Sequence, residues 1–284
     1  MVNERLTVAP GLRGAGRPPN PPASTFENGM IRDEPHLSVR LASDPVDLEA
    51  AHRLRYAVFA EELGAGGPSV DHERRLERDA FDAACDHLVL VDSRRDRARR
   101  EHVVGVYRLC RGQAGRFYTE GEFDLGPLRR SGRRLLELGR SCVHRDHRGG
   151  TAMVHLWGAV ADYARRHRVE VLFGTASFPG TDPDAVAAPL SLLHHAHLAP
   201  PALRARARAA GHVGMDRLPF QAIDRLAATR AIPALIKGYL RLGGFVGEGA
   251  FLDRDFNTID VCLVMDTALV VGRTRALYVG EGAS

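Results

Sequence analysis

The sequence predicts an α/β fold in which helices flank one central, mixed β-sheet. Apolar residues alternate along HLSVRLA, as in a half-buried strand, and run without a break through VEVLFGTASF, as in a buried one. Between such runs, apolar residues recur at helical spacing. The order of these segments lacks the regular βαβ alternation of a doubly wound nucleotide-binding fold, so a mixed sheet is expected.

The 284 residues are predicted to form one folded domain with a further segment at either end. Residues 1–35 are rich in Pro and Gly and show no apolar periodicity, which predicts a disordered leader. The folded domain is expected at 36–270, and a carboxy-terminal tail at 271–284. Within the domain, 179–232 is rich in Ala and Arg and is predicted to be a mostly helical insertion.

The predicted elements follow one another in a simple order. A strand at 37–41 precedes Asp44, which can cap a helix that has Pro45 at its first position. The β-branched residues of 87–93 and 102–110 favour two strands joined by a charged turn. The remaining predicted elements are a strand at 135–144, a helix at 151–167, a strand at 169–178, a helix at 232–242, and strands at 245–252 and 258–265.

Composition argues against several classes of function. The formal charge is +4, and Lys237 is the only lysine, so arginine carries nearly all of the positive charge. The arginines alternate with acids instead of forming a basic stripe with interleaved aromatics, which argues against a nucleic-acid partner. Four well separated cysteines without a CxxC pair predict reduced thiols. Because we find no export signal and no apolar run long enough to span a bilayer, we expect a cytoplasmic protein; peripheral contact with the inner membrane is left open.

Four residues between a predicted strand and a predicted helix indicate a phosphate site. They are Arg145, Arg148, Gly149 and Gly150. Glycines at a helix start let backbone N–H groups approach a ligand closely, and the helix N-terminus favours an anion. The arginines can add charge-assisted hydrogen bonds. The phosphate of a phosphopantetheine arm fits such a loop, and the alternative is a solvated turn with a helix cap.

Three motifs place charged residues at short spacing elsewhere in the chain. They are Arg55-x-x-Val58-Phe59 on the first predicted helix, Asp79-x-x-Asp82 in the irregular stretch after it, and Glu137-x-x-Arg140 on the strand before the phosphate loop. On a regular strand Glu137 and Arg140 point to opposite faces unless a β-bulge intervenes. Such a bulge would also splay the sheet and open a slot for an extended ligand arm.

Together these motifs resemble the acyl-homoserine-lactone synthases, which have the GNAT fold and use acyl carrier protein thioesters. The chain is more similar to a sister family, the L-ornithine Nα-acyltransferases of ornithine lipid synthesis, in segments such as RYAVFAEELGA, LELGRSCVH, LFGTASFPGTDP and PALIKGYLRLGGFVGEGAFLDRDFNTIDVCLVMD. The resemblance covers 36–266. It implies a GNAT fold and the transfer of a 3-hydroxyacyl group from acyl carrier protein to the α-amine of L-ornithine, which gives lyso-ornithine lipid.

The predicted phosphate loop departs from the Arg/Gln-x-x-Gly-x-Gly/Ala pattern of enzymes that use acetyl-coenzyme A. Thr151 and Met153 stand where glycine or alanine would be expected. This departure favours the acyl-phosphopantetheine of an acyl carrier protein as the donor, with no bound cofactor.

The resemblance and the chemistry of amide formation suggest roles for the charged residues. A protonated amine must lose a proton before it attacks a thioester, and Glu137, with Arg140, is the candidate base; a structural ion pair between them is the alternative. No cysteine nucleophile is required, and Cys142 is expected to be a buried apolar residue. Carboxylates suit the two amines of ornithine, although an acid-rich solvated loop is equally compatible. Arg55 suits either the carboxylate of the acceptor or one of the aspartates, and a helix-surface arginine is the alternative. The candidate substrate-binding residues are Arg55, Phe59, Asp79, Asp82 and Asp86.

Two further clusters have simple alternatives. His194 and His197 would share a helical face, with His195 between them, but no carboxylate or cysteine stands near them in the sequence, so no metal site is predicted. Four arginines before the strand at 135–144 suit an acidic carrier protein, and a basic loop or a site for anionic lipid headgroups are the alternatives. These arginines are Arg129, Arg130, Arg133 and Arg134.

Two other functions stay open at this point. One is a GNAT enzyme with a different amine acceptor, such as an acyl-homoserine-lactone-type signal synthase. The other is a module without catalytic activity that binds a carrier protein or a membrane.

Overall fold

A computed structural model describes residues 34–112 and 115–269, which fold around a nine-stranded β-sheet. Apart from Glu34 and Pro35, the predicted leader lies outside the described residues, as does the predicted tail. The described strands are β1 (Leu37–Leu41), β2 (Val70–Asp71), β3 (Leu76–Glu77), β4 (Asp86–Asp92), β5 (Val103–Cys110), β6 (Phe123–Asp124), β7 (Leu135–Val143), β8 (Val171–Pro179), β9 (Arg206–Ala207), β10 (His212–Val213), β11 (Phe245–Val246), β12 (Ala250–Asp253) and β13 (Thr258–Asp266). The described α-helices are α1 (Pro45–Arg55), α2 (Gly126–Arg130), α3 (Ala152–Arg166), α4 (Ala187–His197), α5 (Arg225–Ala231) and α6 (Ala234–Arg241).

The main sheet is mixed, as the sequence predicts. Its strands follow the order β1-β4-β5-β7-β8-β13-β12-β10, and β11 also pairs with β13. β7 and β8 run parallel, whereas β7 is antiparallel to β5, and β8 is antiparallel to β13. Two small ribbons, β2–β3 and β6–β9, lie beside the main sheet. Within the described ranges, no helix is both long enough and apolar enough to cross a bilayer.

Helix α1 begins where the sequence predicts. The side chain of Asp44 accepts a 2.9 Å hydrogen bond from the backbone N–H of Asp47, and Pro45 occupies the first turn, where a missing N–H costs nothing. The helix then continues into a π-helical turn at Tyr56–Glu62. Such turns are rare and are often found at functional sites.

Helices α1 and α3 cover opposite faces of the sheet. Ala51 of α1 packs in one apolar cluster with Val89, and Leu156 of α3 packs in another with Leu88 and Leu90. Neighbouring residues of β4 therefore alternate between the two clusters, as the geometry of a strand requires. Because both faces are covered, the apolar runs in the central strands are nearly continuous.

The segment 179–232 is only partly helical, so the predicted insertion is more varied than its Ala- and Arg-rich composition indicates. It contains α4 and α5, but also β9, β10 and short 3₁₀ turns. β10 pairs with β12, so the segment supplies the edge of the main sheet. Strand pairing of this kind depends on a distant partner, which local composition does not reveal.

The late strand predicted at 245–252 is divided into β11 and β12. Gly249 lies between them with φ of +77°, a conformation that favours glycine. At Gly247, an added Cβ would lie 2.7 Å from the carbonyl oxygen of Ala205. The glycines of GFVGEGAF therefore mark a break in the strand.

Candidate active site

The parallel pair β7–β8 opens into a gap in the middle of the sheet. The two strands pair only over Leu135–Glu137 and Val171–Phe173. Gly174 stands at the opening, where an added Cβ would lie 2.1 Å from the carbonyl oxygen of Leu138. Beyond this point, backbone groups of both strands that would otherwise form the ladder face the gap.

A bulge in β7 accompanies the gap. Two residues of β7, Arg140 and Ser141, stand opposite a single residue of β5, Tyr107. Arg140 has φ of +49°, in the left-handed region that glycine usually supplies at such a bulge. Glu137 and Arg140 both contact Tyr118, so the bulge brings them to the same side of the sheet. The bulge proposed from the sequence is confirmed.

A cavity of about 210 Å³ occupies the gap and is lined from both faces of the sheet. On the face covered by α3 and α6 its lining is apolar, and we call this the apolar half. The hydroxyl oxygens of Tyr107 and Tyr239 lie 2.7 Å apart there. The residues of the apolar half are Tyr107, Leu138, Leu172, Ala176, Leu235, Tyr239, Leu263 and Met265.

The opposite face supplies a polar half of the cavity. Its residues include Phe59, Tyr118, Glu122, Arg140, Ser177, Asp253, Phe256, Thr258 and Asp260. The guanidinium of Arg140 lies 4.3 Å from the ring centre of Tyr118 and 4.6 Å from that of Phe256. The ring of Phe59 meets Phe256 edge-on at 6.1 Å. Phe59 and Arg140, both predicted as site residues, therefore line this half.

Beside the cavity, three arginines and three carboxylates form a closed network, which we call the arginine–carboxylate network. Its members are Arg55, Arg108, Arg140, Glu77, Asp79 and Asp82. Arg55 donates to Glu77 over 2.5 Å and to Asp82 over 2.8 Å. Arg108 donates to Asp79 over 2.7 Å and to Asp82 over 2.9 Å. Arg140 donates to Glu77 over 3.1 Å and to Asp79 over 2.9 Å.

The network keeps its two aspartates ionised. Burial would raise the pKa of Asp79, but the charges of Arg108 and Arg140 outweigh it and hold that pKa below its ordinary value. Burial is likewise outweighed at Asp82, whose pKa is lowered by His52, 3.5 Å away, and by Arg55. Neither aspartate lines the cavity, nor does the fully buried Arg55. Their roles in binding the acceptor stay predictions, which this mutual pairing does not favour.

Glu137 does not form part of the cavity wall. Its Oε2 accepts a 3.0 Å hydrogen bond from the backbone N–H of Tyr118, and its Oε1 accepts a 2.6 Å bond from that of Thr119. The side chain is buried, and it is absent from the cavity lining. This geometry makes Glu137 a positioning residue for Tyr118, which covers Arg140. Its predicted role as a general base stays untested.

Asp86 belongs to a different surface. The hydroxyl of Tyr163, on α3, donates a 2.6 Å hydrogen bond to its carboxylate. Asp86 does not line the cavity between β7 and β8. The structure therefore does not bring it together with Phe59 and Arg140, and its predicted contact with the acceptor stays untested.

The predicted phosphate loop lies at the start of α3, as expected. Gly149 has φ of +77°, and an added Cβ there would meet nothing within 4 Å. Arg148 donates to the carbonyl oxygen of Val143 over 2.9 Å, and it lines a second, wider cavity of about 590 Å³ together with Gly150. Arg145 lies in the preceding 3₁₀ turn and does not line this cavity.

The four arginines before β7 are largely paired within the chain. Arg129 lies 2.6 Å from Glu120, Arg133 lies 2.7 Å from Asp266, and Arg134 lies 3.4 Å from Glu170. Arg130 is exposed. The net positive charge of this surface is therefore smaller than the sequence alone indicates.

The histidine cluster has a neighbouring carboxylate that the sequence did not reveal. Asp216 lies 3.2 Å from His195, and ligand atoms of His194, His195 and Asp216 lie within 4.8 Å of one another. His195 and Asp216 are exposed. Asp216 lies about twenty positions further along the chain and approaches from the following loop, and the absence of a metal site stays a prediction.

Sequence reasoning missed several charged residues of the site. They are Glu77, Arg108, Glu122, Asp253 and Asp260. Arg108 interrupts the apolar run HVVGVYRLC, and Asp260 interrupts TIDVCLVM. A charge inside a strand that is otherwise buried must be paired or functional, so these two positions carried a usable signal.

A mixed sheet that separates between two parallel strands around a cavity, with a helix starting just after the first of them, defines an acyltransferase of the GNAT class. In agreement, the family model for the acetyltransferase (GNAT) domain matches residues 54–158. The prediction of a GNAT fold is confirmed.

Comparison with known proteins narrows this class. An L-ornithine N(alpha)-acyltransferase of Rhodobacter capsulatus is 57% identical over 244 residues, which cover 84% of this chain and 93% of that protein. Another from Agrobacterium fabrum is 40% identical over 251 residues and covers 86% of each chain. This chain belongs to the family of L-ornithine Nα-acyltransferases. The solved AHL synthase LasI, 14% identical, aligns over 84% of this chain and 95% of its own with a TM-score of 0.46.

Proposed function

We propose that this acyltransferase moves a 3-hydroxyacyl group from an acyl carrier protein to the α-amine of L-ornithine and releases lyso-ornithine lipid. The cavity through the sheet carries the proposal, because its apolar half suits an acyl donor and its acidic polar half suits a cationic amino acid. The names of the relatives at 57% and 40% identity support ornithine as the acceptor.

The reaction needs the two substrates to meet in the gap. The amine nitrogen attacks the thioester carbonyl carbon, a C–N bond forms, the C–S bond breaks, and the thiolate of phosphopantetheine leaves and takes up a proton. Backbone N–H groups that border the gap are suited to the carbonyl oxygen, where negative charge develops. Glu137 is buried outside the cavity lining, so it would reach the amine's proton only through a water molecule, and Glu137→Gln tests whether it is the base.

Features on two surfaces support an acyl carrier protein as the donor. The wider cavity before α3, with Arg148 and Gly150, suits the phosphate of the pantetheine arm. The exposed Arg130 suits the acidic surface of the carrier protein itself. The acyl chain would then enter the apolar half of the cavity from the side of α3.

Incubation of the purified protein with 3-hydroxyacyl carrier protein and L-ornithine should consume the thioester and give an acyl-ornithine that mass spectrometry detects. The same acyl group on coenzyme A is the matched donor control, and we expect it to react at least 10-fold more slowly. The absence of any acyl-ornithine across donor chain lengths would contradict the proposal.

The competing proposal is that the enzyme acylates an amine other than ornithine. The charge of the cavity lining helps to distinguish the two acceptors. A neutral acceptor has no use for the three carboxylates of the polar half. A screen of amino acids and S-adenosylmethionine under the same conditions separates the two. Faster acylation of an acceptor other than ornithine would replace ornithine in the proposal.

We also propose that the enzyme contacts the membrane peripherally, because its product is an amphiphile. Phe220 is 39% exposed and Leu226 is 63% exposed, and the guanidinium of Arg225 lies 5.8 Å from the Phe220 ring centre. Apolar side chains beside an arginine suit an anionic bilayer surface. Sedimentation with anionic vesicles should weaken when Phe220 and Leu226 are both changed to Ser, but not after Val154→Ser.

A further inference from the structure

Three carboxylates of the polar half lie outside the arginine–carboxylate network, and we call them the acidic trio. They are Glu122, Asp253 and Asp260, and one oxygen of each lies within 4.8 Å of the others. Glu122 follows the turn at Tyr118–Gly121, Asp253 ends β12, and Asp260 lies in β13. Three distant segments of the chain therefore converge on one point of the cavity wall.

Within the described ranges, no arginine, lysine or histidine forms an ion pair with the acidic trio, although the charge of Arg140 lowers the pKa of Glu122 in part. Oε2 of Glu122 and Oδ1 of Asp260 are buried and have no hydrogen-bond partner among the described residues. Both side chains are at least nine-tenths buried, at 5% and 4% exposure. Arg140 lines the same cavity, but its guanidinium donates to Glu77 and Asp79. A buried carboxylate without a partner costs several kcal/mol, on the order of the penalty for a single buried ion.

A neutral side chain beside the acidic trio shows the same lack of a partner. The hydroxyl of Thr258 lines the cavity, is 8% exposed, and has no hydrogen-bond partner of good geometry among the described residues, although it lies close enough to Asp260 to lower the pKa of that carboxyl. Buried hydroxyl groups are normally satisfied by the protein or by a ligand. Thr258 borders Asp260, and its unsatisfied hydroxyl agrees with a polar group that comes from outside the chain.

The raised pKa values in the acidic trio are those expected of buried carboxylates that lack a neighbouring cation. Burial raises the pKa of Asp260 to about 6, although the nearby Ser177 hydroxyl lowers it in part. Burial, together with the charges of Asp260 and Asp253, raises the pKa of Glu122 well above its ordinary value. A bound cation would displace the protons that these carboxyl groups hold in its absence.

We propose that the acidic trio and Thr258 bind the side-chain ammonium of the acceptor amino acid and thereby select a diamino acid over a neutral one. This inference rests on the proposed function, which places the acceptor in the polar half. An ammonium group has three N–H donors for carboxylate and hydroxyl acceptors. The rings of Phe59 and Phe256 line the same half and suit the methylene groups of the acceptor.

The position of the acidic trio leaves room for the rest of the acceptor. Asp260 pairs with Ser177, which lies three residues beyond Gly174 on β8. At the usual rise per residue of a strand, this places the ammonium site about 10 Å from the start of the gap. An amino acid held there can extend towards the gap, where its α-amine would meet the thioester.

The test compares L-ornithine with L-norvaline, which has the same carbon chain but no side-chain amine. We expect the wild-type protein to prefer ornithine at least 100-fold in kcat/KM, and Asp260→Asn to reduce this preference at least 10-fold. The KM for the acyl donor should stay unchanged. Glu122→Gln should have the same effect, and Asp216→Asn, a matched change at an exposed carboxylate outside the site, should have none.

Several outcomes would overturn the inference. If Asp260→Asn lowers turnover of ornithine and norvaline by the same factor, the acidic trio does not recognise the side-chain amine. If chelator abolishes turnover and Mg²⁺ or Mn²⁺ restores it only when Asp260 is present, the acidic trio holds a metal ion instead. Circular dichroism and thermal melting of each variant exclude loss of the fold as the cause.

Direct binding separates this inference from the proposed function. Calorimetry with L-ornithine and without acyl donor should give binding that Asp260→Asn weakens at least 10-fold and that norvaline does not reproduce. Such binding without acyl transfer would contradict the proposed function and leave the ammonium site standing. If Asp260→Asn transfers the acyl group to ornithine with an unchanged preference over norvaline, the proposed function stands and the ammonium site is contradicted.

Discussion

Two groups of three carboxylates lie close to the gap in the sheet. One group is paired with arginines, whereas the other is buried without ion pairs among the described residues. Glu77, Asp79 and Asp82 are matched by three arginines, and the pKa values of both aspartates are lowered. In the acidic trio, burial dominates, and the pKa values of Glu122 and Asp260 are raised. The first group is complete within the protein, whereas the second is complete only with a cation from outside.

This difference shows which carboxylates have hydrogen-bonding capacity left to bind a substrate. Motif spacing pointed to Asp79 and Asp82, but their hydrogen-bonding capacity is used by Arg55, Arg108 and Arg140. Such a network can hold the bulge of β7 in place and orient Arg140 at the cavity wall. A ligand site instead keeps polar groups unsatisfied until the ligand arrives, at some cost to stability.

The largest effect should follow from removing one arginine of the network. Arg108→Met leaves Asp79 and Asp82 with one partner fewer in a buried setting, and we expect a loss of about 3–5 kcal/mol in the free energy of unfolding. Urea unfolding measures this loss. The matched control is Arg53→Met, which breaks an exposed pair with Glu49 and should cost at most about 0.5 kcal/mol. If both variants lose an equally small amount of unfolding free energy, the arginine–carboxylate network does not stabilise the fold more than an exposed ion pair does.

Neutralising one carboxylate of the acidic trio should instead raise the free energy of unfolding. The folded protein raises the pKa of Asp260 from its ordinary 3.8 to about 6, so well below pH 3.8 both states hold the proton and no penalty exists. As the pH rises from 4 to 6, the unfolded chain ionises first and the folded state loses stability relative to it. Asp260→Asn removes this loss and should add about 1–3 kcal/mol to the free energy of unfolding at pH 7.

The measurement is urea unfolding of both proteins without ornithine at pH 4 and pH 7. The gain of Asp260→Asn should be confined to the higher pH. Asp82→Asn is the informative contrast, because a carboxyl group with a lowered pKa contributes stability above its ordinary pKa and loses it as the pH falls. A destabilised Asp260→Asn at pH 7 would show that the carboxylate is already paired.

A smaller loss is expected from Glu137→Gln. Glutamine keeps one oxygen for a backbone N–H but places an amide nitrogen against the other, so about 1–2 kcal/mol should be lost, as for one charged hydrogen bond. A positioning role predicts a lower kcat with the pH dependence of the wild type. A pH dependence that disappears while stability is retained would instead identify Glu137 as the general base.

Much of the fold could be predicted because it depends on local signals. The N-cap at Asp44, the alternation in β1 and the glycines at the start of α3 are all read from neighbouring residues. The bulge at Arg140 could be proposed because Glu137 and Arg140 otherwise face opposite ways. The resemblance to acyltransferases then correctly placed these elements in one fold.

The functions of individual charges could not be predicted in the same way. Glu137 differs from a free base only because the backbone of Tyr118 and Thr119 reaches it from another segment. Glu122 and Asp260 lie 138 positions apart in the numbering of the chain, and they meet only because the segment after the turn at Tyr118–Gly121 approaches β13 in the folded protein. Whether a carboxylate is paired depends on the assembled cavity, and the spacing of residues in the sequence does not predict it.

The smallest effect on stability, and a clear effect on function, should come from an arginine that neither group uses. Arg130 is exposed, so Arg130→Glu should change the free energy of unfolding by no more than about 0.5 kcal/mol. If this surface docks an acidic carrier protein, the KM for the acyl carrier protein should rise about 3- to 10-fold at low salt, and the difference should shrink as salt screens the charges. Arg99→Glu makes the same charge change at a side chain that is 76% exposed. An equal rise in KM for both variants would reduce the effect to net charge and exclude Arg130 as a docking residue.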